Sequence, residues 1–445
     1  MTLDAIGLEV MAHAFAGIAE EMGALLVASS FSPNIKERRD SSAAIFDARG
    51  EMIAQAAHIP VHLGAMPEAV AAVMELDPVP HDTFILNDPY TGGTHLPDIT
   101  MVHAVELDGG VAGYTVVRAH HSDVGGMRPG SMPPHSSEIF QEGLIIPPIR
   151  WTAAGQVRVD VERLLLANVR TPVMRRGDLA AQLAACERGA LRYRELVEQK
   201  GGEYVEGAVR DLLDYAERRT VASVNLRCIV DRDIPTNGGV HRVVEVIAPR
   251  GLVVNAGWPA AVASGNVETS QRIADVVTLA VGQATDTPAQ GQGTVNNVVF
   301  GGDGWTYYET LGGGQGASSR GDAPSGIHVG MSNTRNTPIE VFELEHPLRI
   351  RVYALRRGSG GAGVHKGGDG VIREYEALED MEASLITERR VHAPAGAEGG
   401  DDGKPGVNTV NGESLGGRAA VHLSPGDVLR VETPGGGGWG ARDSR

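Results

Sequence analysis

The sequence predicts a mixed α/β protein of the α+β kind, with glycine-rich, largely antiparallel sheets and a helical segment near residues 177–220. Three observations carry this. Short apolar runs of strand character are joined by tight turns, the signature of hairpins. Long runs with helical apolar spacing occur at only a few places. Glycine contributes 59 of 445 residues, about twice its ordinary ~7% usage, with no collagen period. These glycines fall between Val/Ile/Leu-rich segments, which marks tight turns and close backbone approaches.

In chain order, residues 4–28 set apolar residues at helical spacing around two acids in mid-run and predict a helix. Ser41–Gln55 predicts a hairpin, SAAIFD and EMIAQ flanking a DARG turn. AMPEAVAAVMEL (65–76) predicts a short helix with its proline in the first turn, where it is tolerated. TFILND (83–88) reads as a buried strand entering a polar, glycine-rich loop. ITMVHAVEL and VAGYTVVRA flank Asp108-Gly109-Gly110, a hairpin signal. Neighbouring strand ends would then deliver the polar loops NDPYTGGTHLPD and HHSDVGG to one place. From Gly177 to about Val221 the pattern is helical, broken at Gly201-Gly202, with a second helix through Arg218 and Asp178 suited to an N-cap. Beyond 222 short β-type runs follow, interrupted by one helix over 266–284, and 340–445 is strand-and-turn sequence. The expected organisation is a first domain over 1–175, a helical hairpin over 176–225 and a β-rich region over 226–445.

Composition excludes several classes of function. With 39 Lys+Arg against 56 Asp+Glu the formal net charge is −17, which would repel nucleic acid or an anionic membrane. Two cysteines, Cys186 and Cys228, cannot build a disulfide framework. Both read as buried thiols, since neither lies in a polar cluster. No apolar stretch approaches the ~18–20 residues of a membrane span, and no basic region precedes an apolar core at the N-terminus. The expectation is a soluble cytoplasmic protein with no nucleic-acid or membrane partner. Gly435–Gly438 lacks the lysine and hydroxyl of a phosphate loop, and no G-x-G-x-x-G stands between a strand and a helix. This chain therefore shows no ATP site, and without a G-x-S-x-G elbow it shows no hydrolase triad.

Chemistry concentrates in the histidines. Eight of fifteen lie between His58 and His135. The sharpest pattern is His95-Leu-Pro-Asp98, followed one hairpin later by His120-His121-Ser122-Asp123. Two imidazoles and two or three carboxylates on adjacent loops suit a divalent cation of borderline hardness, Zn²⁺ or Mn²⁺. A further carboxylate is available in Lys36-Glu37-Arg38-Arg39-Asp40. The bland reading is a set of loop histidines capped by neighbouring Asp and Ser. Asn87–Thr94 reads either as a backbone cradle for an anion or as a tight connection built from Pro and Gly. Arg356-Arg357 reads either as guanidinium groups offered to a carboxylate or phosphate, or as a solvated turn.

Lined up, the segments resemble the hydantoinase B/oxoprolinase family over nearly the whole length. The resemblance rests on ten ordered motifs: ERRDSSAAIFD (37–47), IPVHLGAMP (59–67), NDPYTGGTHLPD (87–98), AHHSDVGGMRPGSM (119–132), FQEGLIIPP (140–148), NVRTP with GDLAAQ (168–182), GNVETSQR (265–272), SNTRNTPIEVFE (332–343), GSGGAGVHKGG (358–368) and TPGGGGWG (433–440). It implies the metal-binding subunit of an ATP-dependent enzyme that opens a cyclic amide such as hydantoin, N-methylhydantoin, 5-oxoproline or a lactam. The implied ligands are Asp40, His95, Asp98 and His120, with Glu37 the alternative to Asp40 and His121 the alternative to His120. Asp123 would orient an imidazole, and His121, Asp123 and Glu37 are the expected catalytic neighbours. The resemblance also implies ATP and Mg²⁺ on a separate hydantoinase A-like subunit in a hetero-oligomer, α2β2 in the expected form. That subunit would phosphorylate the amide oxygen, while amides of the NDPYTGGT loop would stabilise an oxyanion here. The alternatives are a subunit of an ATP-dependent ketone carboxylase, a non-catalytic scaffold, and a stand-alone metal hydrolase. The chain is compact after Asn225 where relatives run longer.

Overall fold

The computed structural model describes residues 3–57, 59–62, 64–153, 155–227, 236–282 and 287–442. His58 and Cys228 lie outside them. The chain divides into two units, each discontinuous in sequence: residues 1–124 with 144–258, and residues 125–143 with 259–445.

In the first unit the N-terminal apolar run forms helix α1 (Ala5–Ser29), started by Asp4, whose carboxylate accepts from the Gly7 N–H. Met11, Phe15, Ile18, Ala19, Met22 and Leu26 are buried at helical spacing. One correction arises here. By length and composition α1 is apolar enough to cross a membrane, contrary to the expectation that no stretch approaches that size. Its apolar stripe is nonetheless buried in the unit, with Phe15 stacked 6.4 Å from Tyr193. A four-residue helix, α2 (Pro33–Lys36), leads into a sheet of seven strands: β1 (Ser41–Asp47), β2 (Met52–Ala57), β3 (Thr83–Leu86), β4 (Asp98–Leu107), β5 (Gly110–His120), β6 (Ile149–Ala153) and β7 (Gln156–Val157). Their spatial order is β2-β1-β5-β4-β3-β6-β7 and all pairings are antiparallel. Strand alternation sends Ala44, Phe46, Val102 and Val116 to one face, where they pack with Met66, Ala69, Val70 and Val73 of helix α3 (Met66–Met74).

Three further helices complete the core of this unit, and a fourth is short. They are α4 (Val159–Leu166), α5 (Pro172–Lys200), α6 (Gly202–Arg227) and the four-residue α7 (Gly238–His241). Helix α5 covers the other face of the sheet. Gln182 donates to the carbonyls of Ile99 and Val117, and Thr115 donates to the Cys186 carbonyl. Cys186 is buried there, which pushes its thiol well up. The expected cap is corrected: α5 begins at Pro172, so Asp178 lies inside it. The Asp178 carboxylate instead accepts from the backbone N–H of Phe31 (2.8 Å) and Ser32 (3.0 Å), just ahead of α2, and from Arg175 (2.9 Å). Helix α6 also outruns the expected Arg218, and residues 236–258 form no strand where β-type runs were expected.

The second unit holds helices α8 (Ser270–Gly282), preceded by a π-turn over Gly265–Thr269, and α9 (Ile339–Glu345). Its strands are β8 (Asn297–Gly302), β9 (Trp305–Thr310), β10 (Leu348–Arg356), β11 (Gly370–Ala377), β12 (Met381–Ile386), β13 (Val407–Val410), β14 (Glu413–Leu415), β15 (Arg418–Leu423) and β16 (Val428–Glu432). They make two antiparallel sheets, β15-β12-β8-β9 and β10-β11-β16-β13-β14. Val298, Phe300 and Leu385 of the first pack with Leu348, Tyr375, Leu429 and Val431 of the second. The glycine excess finds its cause in this unit. A Cβ on Gly314 would lie 2.0 Å from the Gly368 carbonyl oxygen, on Gly436 1.9 Å from that of Gln315, and on Gly438 2.2 Å from that of Ala362. Backbone packs directly on backbone, and hydrogen bonds such as Gly436 N–H to Gly368 O (2.9 Å) tie the segments together.

Candidate metal centre

Register builds the site. The β4–β5 hairpin turns on Asp108 and Gly109, both at positive φ (52° and 80°), the conformation that matches strand twist. From there the ladder runs back until Asp98, the first residue of β4, stands opposite His120, the last of β5. On the other side β5 pairs with β1, and the His120 N–H donates to the carbonyl of Asp40, just ahead of β1 (3.0 Å). His95 lies one turn before Asp98, closed by a bond from the Asp98 N–H to the His95 carbonyl (3.0 Å).

Three side chains converge. His95 Nε2 is 2.9 Å and His120 Nδ1 3.1 Å from Asp98 Oδ1, and the two nitrogens are 3.2 Å apart. All three residues are at most 2% exposed. The other carboxylate oxygen accepts from the Thr94 hydroxyl (2.6 Å) and faces His62 Nε2 (3.5 Å), whose Nδ1 is bonded to the Ser42 hydroxyl (3.1 Å). Burial alone would raise the Asp98 carboxyl. The imidazoles of His95, His62 and His120 outweigh it and hold the group well below the usual carboxylate range. Burial pushes the His120 imidazole down, against the pull of Asp98 and Asp40, so it favours the neutral, ligating form.

The donor set fits a cation. Ligand atoms at ~2.0–2.1 Å from a metal are separated by about 2.9 Å in octahedral and about 3.4 Å in tetrahedral geometry. The three distances observed, 2.9, 3.1 and 3.2 Å, fall within that interval. Each neutral imidazole can present either an N–H or a lone pair here, so the same three atoms serve as a triad hydrogen-bonded at Asp98 Oδ1 or as a ligand set for a cation. Among the described residues these three are the cluster of metal-ligating type.

The other expected residues fall as follows. Asp40 is buried beside the cluster and its charge acts on His120. Glu37 ends α2 half-buried, with no bond to the three. His121 points the opposite way, its Nε2 2.8 Å from the Gln182 amide oxygen on α5. Burial, reinforced by Arg175, pushes that imidazole down to about 4. The Asp123 carboxylate accepts from the Arg170 N–H (3.0 Å) and guanidinium (2.9 Å). In the Asn87–Thr94 loop, Asp88 accepts the N–H groups of Tyr90, Thr91 and Gly93, so these amides serve the turn. Arg356 is likewise committed, to Glu432 and the carbonyls of Pro405 and Thr433. Sequence reasoning missed His62, Thr94 and Ser42. All three were signalled only by their places in IPVHLGAMP, NDPYTGGTHLPD and ERRDSSAAIFD.

Known proteins resemble this chain over nearly its whole length. The hydantoinase B/oxoprolinase family profile matches residues 4–225 and 219–442. An uncharacterised protein of Methanocaldococcus jannaschii is 38% identical over 99% of this chain and 91% of its own length. The 5-oxoprolinase 1 of Arabidopsis thaliana is 36% identical over 98% of this chain, which spans only 42% of that protein. In both alignments, of 512 and 538 positions, the columns outnumber the residues of this chain, so these relatives carry segments it lacks. The crystal structure of the ATP-dependent caprolactamase from Pseudomonas jessenii superposes with a TM-score of 0.89 at 27% identity, covering 99% of this chain and 92% of that one. The chain belongs to the hydantoinase B/oxoprolinase family.

Proposed function

We propose that this chain is the metal-bearing subunit of an ATP-dependent enzyme that opens a cyclic amide, with ATP bound on a separate chain. The observation that carries the reading is the buried convergence of His95, Asp98 and His120 in a member of this family. Two facts support the separate ATP site. Proteins similar to this one include an ATP-dependent caprolactamase, yet this sequence has no phosphate loop. It also spans only 42% of 5-oxoprolinase 1, so more than half of that protein lies outside the matched region. Exposed Val244, Val246, Ile247, Val253 and Val254 give the first unit an apolar stretch suited to a partner.

His95, Asp98 and His120 would hold the metal, with Asp40 beside them, and the two-imidazole, carboxylate donor set suits Zn²⁺ or Mn²⁺. When bound, the ion supplies Lewis acidity and an acidified water, whose pKa falls from 15.7 toward ~7. The chain's own residues prepare that site. Asp98 remains ionised, Thr94 and His62 fix its second oxygen, and His120 stays neutral. Burial keeps bulk water from competing.

The test is to purify the chain with its ATP-binding partner and follow ADP formation against ring opening of 5-oxoproline, hydantoin, N-methylhydantoin and a lactam. Coupled turnover on at least one is expected. ATP hydrolysis that depends on bicarbonate and a ketone, with no cyclic amide turned over, would replace this reading by a carboxylase.

A further inference from the structure

An acidic chain would be expected to surround a cavity with carboxylates. The second unit does the reverse. A cavity of about 510 Å³ is lined by Arg272, Arg389, Arg390 and Arg418, with His392 and one acid, Glu388. Its size falls within the ~300–1,000 Å³ of small-molecule sites.

The guanidinium groups are held in place but not neutralised. Arg272 and Arg389 share a single carboxylate oxygen, Asp275 Oδ2, at 3.3 and 3.2 Å. Arg418 reaches Glu388 only at 3.9 Å. Arg390 is aimed entirely by neutral acceptors: the side-chain oxygens of Asn408 (2.8 Å) and Asn296 (2.9 Å) and the Glu388 carbonyl (2.7 Å). Among the described residues four positive charges thus face two carboxylates. Glu268, the other acid acting on Arg390, is pushed up to about 8 by burial, which favours its neutral form.

Two further features show construction at this place. Arg389 is 8% exposed, and its Nε has no acceptor among the described residues. Its backbone takes φ +57°, a strained conformation for a non-glycine residue and one that recurs at ligand sites. Gly293, at φ +59°, leaves the space in which the charges meet. A Cβ there would stand 2.8 Å from Arg389 Nε and Asp275 Oδ2 and 3.1 Å from Arg272 Nη1.

We propose that this arginine-lined cavity binds a phosphate dianion, free or carried as a phosphate monoester. A surplus of two positive charges matches a group carrying −1.5 to −2 at neutral pH, where a monocarboxylate would leave one uncompensated. Guanidinium forks also match phosphate oxygens in pairs. No metal-cluster residue takes part.

The test is calorimetric titration of inorganic phosphate into the full chain depleted of metal by chelation, at constant ionic strength with chloride as reference. Saturable binding with a dissociation constant of about 1 mM or tighter is expected. Arg418→Gln, on a half-exposed side chain, should weaken it about tenfold and Arg389→Gln further, while Arg349→Gln, on the exposed face of β10, should not change it. Absence of saturable binding at ten times that concentration, or binding unchanged in Arg418→Gln, would overturn the proposal. Succinate binding as tightly as phosphate would overturn the assignment to phosphate.

Discussion

At the scale of single residues the centre is a carboxylate shared by imidazoles. Asp98 takes His95 and His120 on one oxygen and Thr94 with His62 on the other. Partners that orient a ligand commonly change metal affinity about 10–100-fold when removed. His62→Gln is therefore expected to weaken metal binding by that factor, read by competition with a chelator, with the thermal transition little changed. His121 tests the neighbouring assignment. Its ring is bonded to Gln182 and faces away from the cluster, so His121→Asn should lower stability and leave metal stoichiometry intact. Loss of metal in that variant would move the ligand from His120 to His121. The spacing brought forward His95, Asp98 and the His120–Asp123 run, and the family resemblance preferred His120 to His121. The spacing left His62 without a role because a histidine on a short turn becomes a neighbour of Asp98 only once β1 and β5 are paired.

At the scale of elements, hairpins and helices with strong period were legible, and their long-range connections were not. The β1–β2 and β4–β5 hairpins follow from turn residues and alternation over Ser41–Ala57 and Asp98–His120. Asp178 shows the limit. A lone Asp near the start of a helical pattern reads as a cap, yet here it answers N–H groups 146 and 147 residues away and a fully buried guanidinium. Arg175 Nε and Nη1 have no other acceptor among the described residues. Removing one partner of a buried pair costs about 3–5 kcal/mol. Asp178→Ala should accordingly lower the first unit's thermal midpoint by roughly 6–20 °C, at ~2–4 °C per kcal/mol for a unit of this size. A shift within ~2 °C would mean that the pair is dispensable.

At the scale of the whole molecule His346 and His103 join the buried His121 in setting an acid limit on stability. His346 packs among Trp305, Tyr307 and Phe342, with neither ring nitrogen bonded among the described residues, and burial pushes it down to about 4. Burial does the same to His103, helped by His81 and Arg194. Both are neutral when folded, while an unfolded imidazole charges below ~6.5. The unfolded state then binds more protons between pH 6.5 and 4. Stability is fully present above that window and declines through it, by at most about 1.4 kcal/mol per pH unit for each histidine. His346→Phe should flatten the decline in the second unit's thermal midpoint; an unchanged slope would assign it to other groups. The exposed valines and isoleucine near 244–254 belong to this scale too. On the proposed function, Ile247→Asp should abolish co-purification with an ATP-binding chain while leaving the isolated chain folded. The glycine excess was legible as close backbone approach, but which backbones meet was not, because glycine carries no side-chain pattern to pair them.

The most direct test is the metal content of the purified chain after exposure to Zn²⁺ or Mn²⁺ and gel filtration, measured by plasma mass spectrometry in wild type and Asp98→Asn. About one ion per wild-type chain is expected, falling close to zero in the variant with its thermal transition retained. A metal-free wild type, or a variant that keeps its ion, would contradict the assignment of His95, Asp98 and His120 as a metal centre.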